Sequence, residues 1–558
     1  MNSDATGRRT GLPAGDTARR RRAAKPGDDE FDVHAGDPEH VPQRVASGRR
    51  GMVATAHAGA TTAGVVTLEA GGNAVDAAVA AALALGVCEP AASGLGGQTM
   101  MLVHLASEDR TFALDGSSRA PNLATTGAFD NIRRERRRGH RATTVPSSPA
   151  VYDYAVGRYG RLSAAEVLQP AIRIATDGYT VSGLQERLTR RELKYLRASP
   201  GSAALFLRQG RLPHRAGTTF RQPTLAGTLG RLAAAGLEDF YLGETAARIV
   251  ADMESNGGFI RADDLAQIPQ PVERDTLTGL FGSSRVHTMP PPGAGRTLIE
   301  MMNIHQALPA DLRDPDSPEG AVLLAETIRQ ASRDRQDRPF DPALYPQVDQ
   351  KQMLSRRHAR DLAAEMVRTL GGAGETTHLS VMDGEGNAVA LTQSIENVYG
   401  ACAASPELGF LYNNYLSAFE HQDIAHPYYL RPNAVPWASV APTLLLRDGR
   451  CHLAIGSPGS ERIAPSILQV LIRLRRSSPA AAVAAPRLHC SLDGVVSLEA
   501  PRFGREIAEA LEQQGFELDR REAYAFYLGC VQLVLRRDGE FIGVADPRRD
   551  GVAAGPSR

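Results

Sequence analysis

From Gly51 onward the chain alternates between apolar runs and helical stripes. GMVAT opens as a short strand, and a helical pattern runs from Thr61 to Glu69. Gly71-Gly72 stops it, and a second, alanine-rich helix begins after Asn73. Asn73 is the predicted N-cap of that helix, and Asp76 sets a negative charge at its positive end. SGLGGQTMMLVHL reads as a tight glycine turn feeding a buried strand. No Lys-Ser/Thr follows and a strand stands in place of a helix, so Gly94, Gly96 and Gly97 predict close backbone packing and not a phosphate cradle. Helical periodicity dominates from about Ser163 to Ala266, and MPPPGAG (Met289 to Gly295) marks a loop before the helix TLIEMMNIHQAL. Beyond Thr376 the pattern turns to strands: THLSVMD, AVALTQSI, APTLLLRDG and CHLAIGS. This mixture predicts α/β or α+β layers built from both parts of the chain.

Composition narrows the class. With 558 residues, 42% hydrophobic and 23% charged, the chain is an ordinary soluble globular protein with room for a large two-layer enzyme or two domains. The 63 basic and 63 acidic residues cancel, which argues against a nucleic-acid partner. Only Lys25, Lys194 and Lys351 are lysines, an arginine bias typical of high-GC bacterial coding sequence. The five cysteines are dispersed and form no CxxC pair, which predicts reduced cytosolic thiols in place of a disulfide framework or a structural zinc site. Residues 1–48 carry no signal-peptide apolar stretch and read as a disordered leader. The longest apolar stretch, Ala77 to Val87, is too short to span a bilayer, so a cytoplasmic location with no membrane partner is expected. GxSxG, HExxH, P-loop and dinucleotide fingerprints are absent, and no cofactor or metal is implied.

The chemistry concentrates in ETTHLSVMDGEGNAVALTQSIENVYG. Two strand-like runs flank GEGN, a strong turn signal. If Asp383 pairs with Ala388, facing positions sum to about 771, and Thr376 lies opposite residue 395, give or take one. Ser394 and Glu396 are thereby brought beside the Thr376 hydroxyl. A threonine becomes a competent nucleophile when it is N-terminal and its own amine acts as base. That requires cleavage between Glu375 and Thr376, most simply by attack of the Thr376 hydroxyl on the Glu375 carbonyl. Taken alone, adjacent threonines also read as the start of a β-prone strand. His378 alternates with Thr376 and Ser380 on one strand face, which favours a structural hydrogen-bonding role over a proton shuttle.

This segment, with LGFLYNNY after it, resembles the start of the small subunit of γ-glutamyltransferases. GGNAVDAAVAAALALGVCEPAASGLGG, LSAAEVLQPAIRIATDGYTV, FRQPTLAGTLGRLAAAGLEDFYLGETA, MPPPGAG, GSPGSERI and the closing GVADPRR have counterparts in the same order. The resemblance implies a self-cleaving N-terminal-nucleophile (Ntn) hydrolase with a four-layer αββα sandwich. Residues 49–375 would form the large subunit and 376–558 the small one, a heterodimer from one chain without a covalent link. Thr376 matches the nucleophile, Ser394 would tune it, and the backbone N–H groups of Gly459 and Ser460 would form the oxyanion hole.

The substrate-binding positions depart from the family. Its carboxylate-clamping Arg falls on Ser117, with Arg119 two residues on. Its amine-binding Asp falls on Ala418 or its neighbour Phe419, with no carboxylate expected in reach, and its Gln or Glu after NN is Tyr415. The serine pair is reduced to Ser439 after Ala438, while Glu396 stands where the family carries Asn or Glu and is able to take an ammonium. The segment from Phe419 to Ser439 is shorter than in lid-bearing members, which implies a more open site. Each lost charge partner costs roughly 2–5 kcal/mol of binding to the same substrate.

The expected activity is therefore hydrolysis or transfer of a non-glutathione acyl group from Thr376 to water or an amine. One alternative is C–C hydrolysis releasing a small oxalate-like acid in an alkylproline antibiotic pathway. Others are a true γ-glutamyltransferase using Arg119 and Glu396, and an unprocessed scaffold pseudoenzyme.

Overall fold

The alanine-rich segment forms the helix Ala74–Cys88, buried along almost its whole length. Asn73 caps it as expected: its side chain accepts from the N–H groups of Val75 and Asp76, while Asp76 accepts from the Asn73 N–H at 2.9 Å. Small side chains let this helix lie against a sheet, next to the preceding helix Ala58–Glu69. The computed structural model describes residues 44–337, 354–365 and 376–557.

Two seven-stranded antiparallel sheets organise these residues. One runs, edge to edge, through Val45–Gly48, Glu540–Ala545, Gln532–Arg537, Arg450–Gly456, Thr443–Arg447, Ser284–Thr288 and Leu277–Phe281. The other runs through Val552–Ala554, Gly51–Thr55, Thr377–Asp383, Ala388–Ser394, Gln98–Leu105, Arg110–Gly116 and Val272–Arg274. Each sheet interleaves strands from both sides of residue 376.

Period-two alternation decides which side chains meet. Leu444, Leu446, Ala454, Val534 and Phe541 of the first sheet face Met52, Met100, Leu102, Met382 and Ala390 of the second, closing a core between the sheets. Their neighbours Leu445, Leu453 and Ile455 point outward, onto Leu298, Ile299 and Met302 of the helix Gly295–Ala307 and Ile463, Ile467 and Leu471 of the helix Ile463–Arg473. Full burial of each such large apolar side chain contributes about 1.5–3 kcal/mol. With Ala74–Cys88 over the outer face of the second sheet, the layers stack as αββα, as the resemblance implied.

Three expectations need adjustment. Most of the leader assigned to residues 1–48 lies outside the described residues, but its last four, Val45–Gly48, form an edge strand paired with Glu540–Ala545. The helix expected from Thr61 starts at Ala58, where the His57 ring accepts from the Gly59 N–H. The hairpin register is one residue tighter than Asp383 opposite Ala388: Met382 faces Ala388, and facing positions sum to 770. The cause is local. Oδ1 of Asp383 accepts from the N–H groups of Glu385, Gly386 and Asn387, so the turn closes at Asp383–Asn387.

Candidate active site

The register sets the geometry. Thr377 faces Gln393, so the next position places Thr376 opposite Ser394. His378 with Thr392 and Met382 with Ala388 share that face, which looks into the space between the sheets. Thr376 is buried, with 6% of its surface exposed. Glu375, on the other side of the expected cleavage point, lies outside the described residues.

The Thr376 backbone is held from behind. Arg549 donates through Nη2 to the Thr376 carbonyl at 3.1 Å and pairs through Nη1 with Glu89 at 2.7 Å. The other Glu89 oxygen accepts from the Thr377 hydroxyl at 2.7 Å. Burial pushes the Glu89 carboxyl above its ordinary range, against the pull of Arg549. Arg549 is itself fixed by a buried turn in which Asp546 pairs with Arg487 at 2.6 Å and Arg548 with Glu499 at 2.7 Å.

Ser394 is positioned just as firmly. Its hydroxyl accepts from the Glu396 N–H at 2.8 Å. Gly97 passes so close that a Cβ there would sit 2.4 Å from the Ser394 carbonyl oxygen, so SGLGG provides backbone packing as predicted. Tyr415 is fully buried, its hydroxyl facing Ser394 and Gln98. Tyr415 does not line the cavity described next. His378 is enclosed between Thr392, 2.9 Å away, and Ser380, 3.1 Å away. Burial lowers it to about 3, so it stays neutral and structural, as its alternation indicated.

Glu396, Ala418, Ser439 and Ser460 come together around one cavity of 410 Å³, with Arg335, Trp437, His426, Phe419, Glu420 and Glu461. Gly459, at φ +118°, turns the chain so that Ser460 faces this space, a conformation that favours glycine. The Ser460 hydroxyl donates to Ser439 at 3.4 Å. Burial pushes the Glu396 carboxyl up to about 7. Among the described residues, the guanidinium lining this cavity is that of Arg335. It donates to the Ser439 hydroxyl at 3.2 Å and the Ala438 carbonyl at 2.7 Å, and lies 4.9 Å from the centre of the Trp437 ring.

Besides Tyr415, two further predicted binding residues, Ser117 and Arg119, stand apart from the cavity. Ser117 donates to Asp115 at 2.6 Å, and that carboxylate also pairs with Arg274. Arg119 forms a backbone bridge with Val145. The expectation of no carboxylate near Ala418 is corrected by Glu420, one residue beyond the two positions considered, which reaches the same wall. Its Oε1 accepts from the N–H groups of His421 and Gln422 at 2.7 and 2.6 Å. Glu89 and Arg549 lie in the GVCEP and DPRR motifs, which the sequence marked without assigning them a role. Arg335 carried no signal, being one arginine among several in RQASRDRQD.

Two stacked antiparallel sheets between helical layers, with a Thr-headed hairpin opening into the space between them, define an Ntn hydrolase. The gamma-glutamyltranspeptidase family model matches residues 60–556, and the chain belongs to that family. It is 31% identical over 542 residues to the glutathione hydrolase proenzyme of Escherichia coli (strain K12), covering 91% of this chain and 92% of that protein. It is 33% identical over 537 residues to the acylase ACY 1 proenzyme of Pseudomonas sp. (strain SE83), covering 91% and 94%. Among solved structures, cephalosporin acylase from Bacillus halodurans superposes with a TM-score of 0.85 at 29% identity, covering 95% of this chain and all of that one. The protein is thus an Ntn hydrolase or transferase. No described helix is long and apolar enough to cross a membrane.

Proposed function

We propose that the chain cleaves itself between Glu375 and Thr376, and that the freed Thr376 then works through an acyl-enzyme on an acyl substrate other than glutathione. The hydroxyl of Thr376 attacks the Glu375 carbonyl; as the ester forms, the peptide C–N bond breaks and the hydroxyl proton goes to the freed α-amine, and water then hydrolyses the ester, leaving a carboxylate on Glu375 and restoring the Thr376 hydroxyl. In turnover that amine takes the hydroxyl proton as Thr376 attacks the substrate carbonyl. Ser394 orients the nucleophile, and the N–H groups of Gly459 and Ser460 receive the developing oxyanion. Water or an amine then releases the acyl group.

The observation that carries this reading is the hairpin register, which sets Thr376 opposite Ser394, whose hydroxyl accepts from the N–H of Glu396, a residue of the cavity wall that Ser460 also lines. Support for an altered substrate comes from that cavity. Among the described residues its guanidinium is Arg335, contributed by a different part of the chain from the family's clamp position at Ser117, and the family's amine-binding position falls on Ala418 or Phe419, with the Glu420 carboxylate one residue further on. The five buried, unpaired cysteines agree with a cytoplasmic location.

A second reading rests on the same cavity. Arg335 beside Ser439, with Glu396 also on the wall, offers a cation and an anion to a γ-glutamyl group. Incubation of processed protein with γ-glutamyl-p-nitroanilide and glutaryl-p-nitroanilide, with intact-mass detection of an adduct on the chain beginning at Thr376, separates the two. The altered-pocket reading expects an adduct from the glutaryl compound and poor γ-glutamyl turnover. Robust γ-glutamyl turnover saturating at low concentration would overturn it. A chain that remains single on a denaturing gel would refute Thr376 catalysis altogether.

A further inference from the structure

Glu300, Asp334 and His358 meet at the junction of three helices, Gly295–Ala307, Pro318–Asp337 and Arg356–Glu365. Glu300 has 1% of its surface exposed, and neither of its carboxylate oxygens has a hydrogen-bond partner. The same holds for Oδ2 of Asp334 and Nε2 of His358. A buried carboxylate left in this condition is costly unless something compensates it.

The spacing indicates what compensates it. His358 Nε2 stands 3.4 Å from a Glu300 oxygen and 3.6 Å from Asp334 Oδ2, and one ligand atom from each residue lies within 4.8 Å of the other two. Charge-assisted hydrogen bonds would draw these atoms to about 2.7–2.9 Å. Ligands about 2.0–2.1 Å from a tetrahedral zinc ion stand roughly 3.3–3.4 Å from one another. His358 Nε2 thus stands from each carboxylate at about the spacing of two ligands on one ion, longer than a charge-assisted hydrogen bond.

The surroundings hold them in place. Gln330 donates to Asp334 Oδ1 at 3.4 Å, leaving Oδ2 to face the cluster. Arg296, the charged neighbour on the Glu300 helix, donates to the backbone carbonyl of Asp334 at 3.4 Å. Ser355 caps the first turn carrying His358 by accepting its N–H at 3.1 Å, and Asn303 donates to the Leu354 carbonyl at 3.0 Å. Two carboxylates and one imidazole suit a divalent first-row metal, zinc foremost. The cysteine pattern, which argued against structural zinc, bears only on thiolate sites.

We infer that Glu300, Asp334 and His358 form a divalent metal site, taking Zn²⁺, that ties the helix Arg356–Glu365 to the two helices beneath it. The inference is independent of the catalytic reading, because the site uses none of the residues assigned to it. Tag-free full-length protein is stripped with a chelator, titrated with Zn²⁺ by calorimetry and assayed for retained metal after desalting. One equivalent per chain is expected. Glu300→Gln, which preserves size, and His358→Gln should each weaken binding about 100-fold, the scale on which altered metal-site residues act. Added Zn²⁺ should raise the Tm of the wild type and leave that of both variants unchanged. Less than a tenth of an equivalent on the wild type, or the same affinity in all three proteins, would overturn the site; circular dichroism confirms that each variant is folded.

Discussion

The guanidinium of Arg549 donates to the carbonyl oxygen of Thr376 at 3.1 Å, joining the last part of the chain to the head of the strand Thr377–Asp383. Its second contact, with Glu89, closes a buried ion pair whose carboxylate also receives the Thr377 hydroxyl. Removing one partner of such a pair leaves a stranded charge and costs about 3–5 kcal/mol. Arg549→Met should therefore lower the Tm sharply and slow appearance of the two processed chains on a denaturing gel. The double variant Glu89→Gln/Arg549→Met should recover part of the stability but not the processing rate. Normal processing in Arg549→Met would show that the carbonyl contact is incidental.

Thr376→Ala should leave a folded, permanently single chain and abolish turnover. Thr376→Ser keeps a hydroxyl and should still process, about 10–100-fold more slowly, within the range that a misplaced reacting group costs. Intact-mass analysis decides both cases, since cleavage of the alanine variant at residue 376 would rule out attack by this hydroxyl.

Gly459 occupies φ +118°, and its N–H and that of Ser460 are assigned to the oxyanion. Gly459→Ala forces a side chain into that conformation and displaces the donors. The expected loss is about 10²–10³-fold in kcat with KM little changed, as for loss of an oxyanion-hole donor elsewhere. A matching loss of thermal stability without a kcat effect would mean that the turn is structural only.

Glu396 supplies a pH signature. Burial holds its carboxyl at about 7 in the folded protein, above the ~4.3 of an unfolded chain. Below about pH 4 both states keep the proton, and the group has no effect on folding. Between those values the unfolded chain releases a proton that the folded one retains, so stability falls as pH rises and levels off above about pH 7. Glu396→Gln removes this penalty. Its Tm should match the wild type near pH 4 and exceed it by several degrees near pH 8, a gap set by about one titrating group. A gap that does not change with pH would show the carboxyl to be ionised throughout.

Much of the fold was readable in the sequence because local signals agreed with the tertiary outcome. Asn73 and Asp76 formed the anticipated cap, and the alternation after Thr376 became paired strands. The one-residue register error arose because Asp383 captures three N–H groups, a choice that strand periodicity does not encode. At the site, Ser394, Glu396 and Ser460 were legible through hairpin geometry and shared motifs. Arg335 was not, because its place beside Ser439 depends on how the helix Pro318–Asp337 packs over the sheet Thr443–Arg447 belongs to. Glu420 was missed because counting from Asn414 stopped one residue short of a wall built by chain folding.

Both sheets draw strands from either side of residue 376. A cut there changes the molecularity of folding. Before it, one polypeptide finds its shape at a rate independent of concentration; after it, two separate pieces must meet and weave their strands together. Recovery from unfolding then depends on dilution, and the working lifetime of the mature enzyme is governed by how slowly the pieces part. Under the proposed cleavage, the intact chain would be a mould used once.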